Sequence, residues 1–344
     1  MGSSRDTVLL LTHEADHFTV DRVAAAVSRR GVRPVRIDVE GFPARWELTS
    51  VLGPSGEDVV LHTPAGAVHA WQVHAVWLRR RPAPRLEASL DPAWREGRAR
   101  AARAALEGAL DGLSAAGCRF INPLEADAAA ENKARQLRLA RQLGLEVPRT
   151  VVTNDPARVR AFFEEVQGRM VAKMLTPLSQ SMRGDAPFVY TSAIRPDHLE
   201  HLDGLRHGPM VFQERLDKAH ALRVAVVGAR CFTGALEASR SAAGQVDRRR
   251  ARHEESPWAH GTLPPAVAGR LVRLVAALGL VYGAADFIVT PEGRCVFLEV
   301  NPGGEWGMLE RNLELPISEA LADALSAPLP RFGFLPESPW PSSS

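Results

Sequence analysis

The sequence predicts an α/β protein: an open N-terminal α/β domain followed by two lobes that mix strands with helices. Three observations predict this. An apolar run at 7–12 (TVLLLT) is followed by helically spaced Val20, Val23, Ala24 and Val27 and then by a second strand-like run at 32–38, a βαβ start. Beyond residue 125, short apolar runs and amphipathic helical stretches recur in turn. Near the C-terminal end, residues 286–302 read as two apolar strands joined by a turn at 291–293.

The first helix stops at Gly31, a residue suited to the left-handed conformation that ends helices. Runs at 46–52, 59–61 and 73–78 read as further strands. Residues 95–117 form an Ala/Arg-rich amphipathic helix stopped by Gly117, and Phe120-Ile-Asn-Pro returns the chain to the surface. A second lobe starts near Asp127. It holds a helix at 128–143 ending at Gly144, a strand at 150–153, a helix opened by Asp155-Pro, strands at 171–175 and 188–191, and a helix at 195–205. A third starts near Met210, with strands at 210–214, 221–227 and 230–236 and a helix at 266–278 capped by Gly279. The hairpin follows, its first strand opened by Asp286, and then a last helix at 317–325. The resulting domains are 1–125, 126–208 and 209–330, with a Pro/Ser-rich tail at 331–344.

The 344 residues, 45% hydrophobic and 24% charged, are ordinary for a soluble globular protein of two or three domains. A formal net charge of +2 gives no reason to expect nucleic acid. The three cysteines, Cys118, Cys231 and Cys295, are widely spaced and form no CxxC pair, which argues against a disulfide framework or a zinc site and for a reducing cytoplasm. No apolar run has the length of a membrane-spanning helix, and the first residues lack the basic and apolar regions of a signal peptide. Neither membrane nor nucleic acid is therefore expected as a partner.

The hairpin carries the strongest chemical signal. Glu299 and Asn301 stand at i and i+2 and share a face. With Asp286 they place two carboxylates and an amide oxygen among Phe287, Ile288, Val289, Val296, Phe297, Leu298 and Val300. Burying two acids there is costly unless a cation compensates them, and oxygen-only ligands suit Mg²⁺ shared with phosphate. Lysines are few. Lys173 sits in the apolar strand Met-Val-Ala-Lys-Met-Leu, where it needs an anion, although an edge lysine that snorkels reads the same way. The polar, glycine-bearing stretch 176–184 after it resembles a flap over phosphates. Lys133 follows Asn132 at a helix start, where a cation opposes the dipole unless an anion is bound; a solvated lysine fits equally. Gln213-Glu214 ends an apolar strand, a place from which an adenine edge is read, or simply a strand running into a polar loop. Arg223, inside Ala-Leu-Arg-Val-Ala-Val-Val, calls for a carboxylate or phosphate. Asp247-Arg248, followed by Arg249, Arg250, Arg252 and His253, is either a phosphoryl-holding loop or a solvated charge run.

His13-Glu14-Ala-Asp-His17 matches the zinc-protease pattern H-E-x-x-H, which needs both histidines one turn apart in mid-helix. Here it directly follows a strand, and the helical pattern starts only near Thr19, so a strand-to-helix loop is the better reading. No P-loop, dinucleotide fingerprint or nucleophile elbow is present.

The ordered set Lys133, Lys173, Gln213-Glu214, Arg223, Asp286 and Glu299-x-Asn301 resembles the ATP-grasp superfamily. Several phrases resemble the microviridin-type, or graspetide, peptide ligases across roughly residues 7 to 325. They are Leu11-Thr-His, Val76-Trp-Leu-Arg-Arg, Leu143-Gly-Leu-Glu-Val-Pro-Arg-Thr, Tyr190-Thr-Ser, Phe212-Gln-Glu-Arg-Leu-Asp-Lys and Phe297-Leu-Glu-Val-Asn-Pro-Gly-Gly-Glu-Trp. The resemblance implies an ATP-grasp fold: an N-terminal pre-ATP-grasp domain and two lobes sandwiching ATP. It implies an ADP-forming ligase whose partner is a ribosomal precursor peptide, leader plus core. Such a ligase phosphorylates Asp or Glu side chains of the core and closes esters with Thr/Ser or amides with Lys. By resemblance Lys133 and Lys173 hold ATP phosphates, Gln213, Glu214 and Leu216 surround adenine, and Lys218 reaches the ribose or flap. Arg223 and Arg248 contact the transferred phosphoryl group, and Asp286, Glu299 and Asn301 bind Mg²⁺. Asp197 and Glu200, in a helix from Pro196, are candidate leader contacts, and a homodimer is expected.

Two departures stand out. Asp247-Arg248 is contiguous where the family often has an aromatic between, which leaves Arg248, Arg249 and Arg250 as alternatives for the catalytic arginine. Gly304-Glu305-Trp306 replaces Gly-Gln-Trp, making Glu305 a candidate substrate contact. The rival readings are an ATP-grasp ligase that joins a free amino acid to a small molecule or a protein C-terminus, a nucleotide-binding module without activity, and the zinc hydrolase.

Overall fold

The computed structural model describes residues 5–54, 56–80, 82–175, 191–237 and 258–328. They divide into two compact units: residues up to 121 together with 318–328, and Asn122–Ile317.

In the first unit β1 (Thr7–Thr12), α1 (Phe18–Arg29) and β2 (Arg33–Asp38) form the expected βαβ start. The strands β3 (Glu47–Gly53), β4 (Gly56–Thr63) and β5 (Gly66–His69) make a separate antiparallel sheet, and β6 (Val73–Leu78) returns beside β1. After α2 (Pro92–Ala115), Phe120 does not return the chain to the surface. Arg119–Ile121 is β7, so the main sheet is parallel with order β2-β1-β6-β7. All six residues of β1 are buried, which is why it reads as continuously apolar rather than alternating.

The second unit opens with Asn122, only 3% exposed. The helix expected over 128–143 is instead two: α3 (Leu124–Ala130) and α4 (Lys133–Gln142). Asn132 breaks it, its side chain accepting from Arg135 N at 3.0 Å as an N-cap. Then come β8 (Thr150–Thr153), α5 (Pro156–Glu165), β9 (Met170–Lys173) and β10 (Ser192–Ile194), and Phe188 to Tyr190 of the expected strand at 188–191 lie outside the described residues. The helix expected over 195–205 is two short 3₁₀ turns, Pro196–Glu200 and Asp203–His207. With β11 (Met210–Glu214) these strands form an antiparallel sheet of order β10-β9-β11-β8, whose core is Val159, Phe162, Met170 and Phe212.

The remaining strands are β12 (His220–Val227), β13 (Arg230–Glu237), β14 (Ala259–His260), β15 (Tyr282–Val289) and β16 (Cys295–Asn301), in order β14-β13-β12-β15-β16. Helix α6 (Pro265–Ala277) ends at Gly279, whose φ of +77° favours glycine. Helices α4 and α6 cover one face of this sheet, burying Leu222, Val224, Ala285, Phe287 and Val300 against Leu271 and Leu274. Two helices follow, α7 (Gly307–Leu313) and α8 (Ile317–Ser326), the latter returning to the first unit. Asp286 does not open β15; it is the fifth of eight residues, in mid-strand.

Candidate active site

The site is built on the sheet face away from α4 and α6. Alternation sends Ala285, Phe287 and Val289 into the core and Asp286 the other way. Arg223 on β12 is opposite Asp286 on β15, and Asp286 is opposite Glu299 on β16, so three ionisable side chains line up across adjacent strands. A register shift after Asp286 pairs Phe287 with Phe297 and leaves Leu298 as the extra residue of a bulge. The bulge returns Glu299 and Asn301 to the site face while Phe297 and Val300 stay in the core.

Lys133, at the first turn of α4, is 3.1 Å from Glu299 Oε2 and donates to Asn301 Oδ1 at 3.1 Å. Asn301 Nδ2 donates to Glu299 Oε1 at 3.2 Å. Burial opposes the charge of Glu299, but Lys133, Lys173 and the Asn301 hydrogen bond overcome it and hold its carboxyl down at about 2. Lys173, the last residue of β9, thus acts on a carboxylate of the other sheet.

Arg223 is 5% exposed. Its Nη1 donates to Asp286 Oδ2 at 2.8 Å, while Nε and Nη2 donate to the Glu305 carbonyl at 3.1 and 3.0 Å. Burial works against the Arg223 charge and Asp286 sustains it, so its pKa rises. Glu305 places its carboxylate on the backbone N–H groups of Trp306 and Gly307, at 3.0 and 2.7 Å. Tyr282 Oη donates to Gly304 O at 2.6 Å. Gly304 is required by close approach: a Cβ there would lie 2.8 Å from Arg223 Nη2 and 2.5 Å from the Ala284 side chain.

The other expected residues are dispersed. Gln213 is buried and donates to Thr150 Oγ1 at 3.0 Å. Glu214 accepts from Arg149 Nε at 3.1 Å and, with Leu216, lines a polar hollow of about 420 Å³ that Arg169 and Asp217 also border. Lys218 is half-buried just before β12. Asp197 is exposed and paired with Arg195 through two bonds of 3.1 and 2.9 Å, and Glu200 is exposed at the end of the same 3₁₀ turn. Arg248 with its basic loop and the stretch 176–184 lie outside the described residues.

The donor set fits Mg²⁺. Asp286, Glu299 and Asn301 offer hard oxygens on one face, and Glu299 is ionised. His13 precedes α1 and His17 is its N-cap residue, so the two histidines of the H-E-x-x-H match do not stand one turn apart in mid-helix. No helix among the described residues is long and apolar enough to cross a membrane.

Sequence reasoning missed two buried amides. Asn122 Oδ1 accepts from Val281 N and Tyr282 N at 2.9 and 2.7 Å, and its Nδ2 donates to Tyr282 O at 2.9 Å. Gln136 bonds both backbone groups of Val300, between Glu299 and Asn301. The only trace of Gln136 in the sequence is a polar residue on an apolar helix face, one turn after Lys133.

Residues 7–128 match the family model described as the MvdD pre-ATP grasp domain. The macrocyclase MdnB from Microcystis aeruginosa MRC is 44% identical over 94% of this chain and 100% of its own, with TM-score 0.81. A RiPP-associated ATP-grasp ligase from Chryseobacterium gregarium, solved with ADP and a leader and core peptide, is 28% identical over 94% and 98%, with TM-score 0.86. The ATP-grasp ligase PsnB, solved with a phosphomimetic precursor variant, Mg and ADP, is 26% identical over 93% and 97%, with TM-score 0.70. A search of curated protein sequences returns no match.

Proposed function

The chain belongs to the ATP-grasp peptide ligases of the graspetide, microviridin type, and we propose that it activates Asp or Glu side chains of a ribosomal precursor peptide as acyl phosphates and closes them onto Thr, Ser or Lys of the same peptide. The enzyme is an ADP-forming ligase that uses ATP and Mg²⁺ to macrocyclise a peptide. The observation that carries the reading is the row Arg223–Asp286–Glu299 across β12, β15 and β16, with Lys133 and Lys173 converging on Glu299.

In this reading Asp286, Glu299 and Asn301 hold Mg²⁺, which when bound offsets charge on the phosphates and the transferring group. Lys133 and Lys173 would bind phosphate oxygens, and the ammonium of Lys133 stands beside Glu299 and Asn301, which would hold the metal. The register of β11 on β9 pairs Glu214 with Met170 and Val211 with Lys173. Glu214 thus lies about 10 Å along the strand from Lys173, a separation that suits a base at one end and phosphates at the other. Lys218 is assigned to the ribose. Arg223, which bonds Asp286 and the Glu305 carbonyl, is assigned with Arg248 to contact with the transferred phosphoryl group. The peptide carboxylate attacks the terminal phosphorus of ATP and ADP leaves. A peptide hydroxyl or amine then attacks the acyl carbon, loses its proton, and inorganic phosphate leaves. Holding both peptide groups in one site replaces a bimolecular encounter.

We assign the pre-ATP-grasp, central and C-terminal functions to 1–125, 126–208 and 209–330, leader recognition to the turn bearing Asp197 and Glu200, core contact to Glu305, and action in the cytoplasm as a homodimer. The test is purified enzyme with Mg-ATP and a precursor peptide encoded nearby. ADP should appear with loss of one water per ring, and Lys173→Met and Glu299→Ala should each abolish both. An unchanged peptide mass with no ADP would overturn the reading.

A further inference from the structure

The metal-bearing strand β16 is at the edge of its sheet, so one side of its backbone has no neighbouring strand. Buried backbone groups left unpaired there would lose their hydration with nothing in return. At Val300, between Glu299 and Asn301, both groups are paired by one side chain. Val300 N donates to Gln136 Oε1 at 2.9 Å, and Gln136 Nε2 donates to Val300 O at 2.7 Å, as a neighbouring strand would do. The second Nε2 proton goes to Ala130 O at 2.6 Å, a carbonyl at the end of α3 that the break at Asn132 leaves without a helical partner. Gln136 is 0% exposed, and its amide is satisfied by these three bonds. Its own N–H donates to Asn132 O, so it follows Lys133 by one helical turn.

We infer that Gln136 is a positioning residue for the metal strand: its amide fixes the backbone of Val300, and with it the directions of Glu299 and Asn301, in register with Lys133 on the same helix. This rests on the assignment of Glu299 and Asn301 to Mg²⁺. A single helix thereby presents a charge to the side chains of the strand and a backbone mimic to its main chain, so metal, strand and Lys133 move as one. Methionine at 136 keeps the length and removes every polar bond.

The experiment is binding of Mn²⁺, as a spectroscopic substitute for Mg²⁺, to the full-length protein in the presence of ADP, read as free Mn²⁺ by electron paramagnetic resonance. Gln136→Met should weaken Mn·ADP binding by about tenfold or more, the range seen when groups that orient metal ligands are removed. Val159→Ala, a core truncation beneath the other sheet of the same unit that lowers Tm, should bind as wild type does. In the wild-type protein, Mg·ADP should slow hydrogen exchange of the Val300 amide by at least about tenfold, since stabilising the strand stabilises its clamp. Wild-type affinity in Gln136→Met, or Val300 exchange indifferent to Mg·ADP, would overturn the inference while leaving the ligase reading intact. Should Gln136→Met not fold, the exchange measurement decides alone. If the wild-type protein itself binds no Mn·ADP, the metal assignment falls and this inference with it.

Discussion

Lys133 and Lys173 are two of only three lysines in a chain with 42 Lys and Arg side chains, the third being Lys218. Against that background their position is a chemical choice. An ammonium is a compact point charge, whereas a guanidinium is a planar fork that suits carboxylates side-on. Lys133 serves Glu299 and Asn301 from one nitrogen, while Arg223 spreads its donors over Asp286 and the Glu305 carbonyl. Lys133→Arg should therefore keep the charge yet lower kcat/KM for ATP by about tenfold or more, because misplacement by an ångström is enough. Steady-state ADP release measures it, and a wild-type value would show that charge alone matters. In the first unit, Asp16 is buried and bonded to Thr12 Oγ1 at 2.8 Å and to Thr19, with Arg79 3.5 Å away. Burial opposes its ionisation, but Arg79 and the two hydroxyls keep its pKa below the ordinary 3.8. Because the folded pKa is depressed, the contribution to stability is complete above the unfolded pKa and is lost as pH falls through the folded one. Asp16→Asn should cost roughly 1–3 kcal/mol at pH 7 in denaturant titrations. Its deficit should stay constant down to about pH 4 and shrink below that.

Among the elements, the break between α3 and α4 positions the site most directly. Asn132→Ala removes the N-cap and should cost about 1 kcal/mol, seen as a lower midpoint in thermal unfolding followed by circular dichroism. It should also weaken nucleotide binding, since Lys133 and Gln136 stand in the first turn of α4. The sequence made this helix look continuous because Ala128 to Ala130 extend the pattern of Gln136 and Ala140 backwards; Asn132 was the cap signal within it. The turns at 196–207 show the opposite error. Leu199, Leu202 and Leu205 recur every three residues, the period of a 3₁₀ helix rather than an α-helix, and they pack on the core beside Phe162 and Phe212. The hairpin strands were legible from their apolar runs, and Glu299 and Asn301 from their spacing. The bulge at Leu298 was not, because Val296, Phe297 and Leu298 are all apolar and nothing in the run says which one is extra. Nor could Gln136 be found: its partner is backbone 164 residues away, and backbone partners leave no mark in residue type.

At the scale of the whole chain, the less legible fact is that the first unit is made from two segments. The helix at its C-terminal end was predicted, but not where it goes. Glu319 and Asp323 of α8 bind Arg30, at 2.8 Å from Nη1 and 3.0 Å from Nε respectively, and Glu319 also binds Arg29. Arg119 on β7 donates to the carbonyls of Ala324 and Ala327 at 3.0 and 2.7 Å, and His74 on β6 to that of Ala327 at 2.9 Å. The bonds from Arg119 and His74 satisfy carbonyls at the end of α8 that lack helical partners, and Arg119 puts a cation where the helix dipole favours one. Ile317, Ala320, Leu321, Ala322 and Leu325 are fully buried. Removing two of those leucine side chains should cost roughly 2–5 kcal/mol each, against a total stability of about 5–15 kcal/mol for a domain. The full-length double variant Leu321→Ala with Leu325→Ala should therefore lose hydrogen-exchange protection in β1, β6 and β7, hundreds of residues away in sequence, while β12 and β15 keep theirs. Mass spectrometry of exchanged peptides resolves the two sets. Equal loss in both would mean that the two units unfold as one, and undiminished protection in β1 would mean that α8 is dispensable to the sheet it joins.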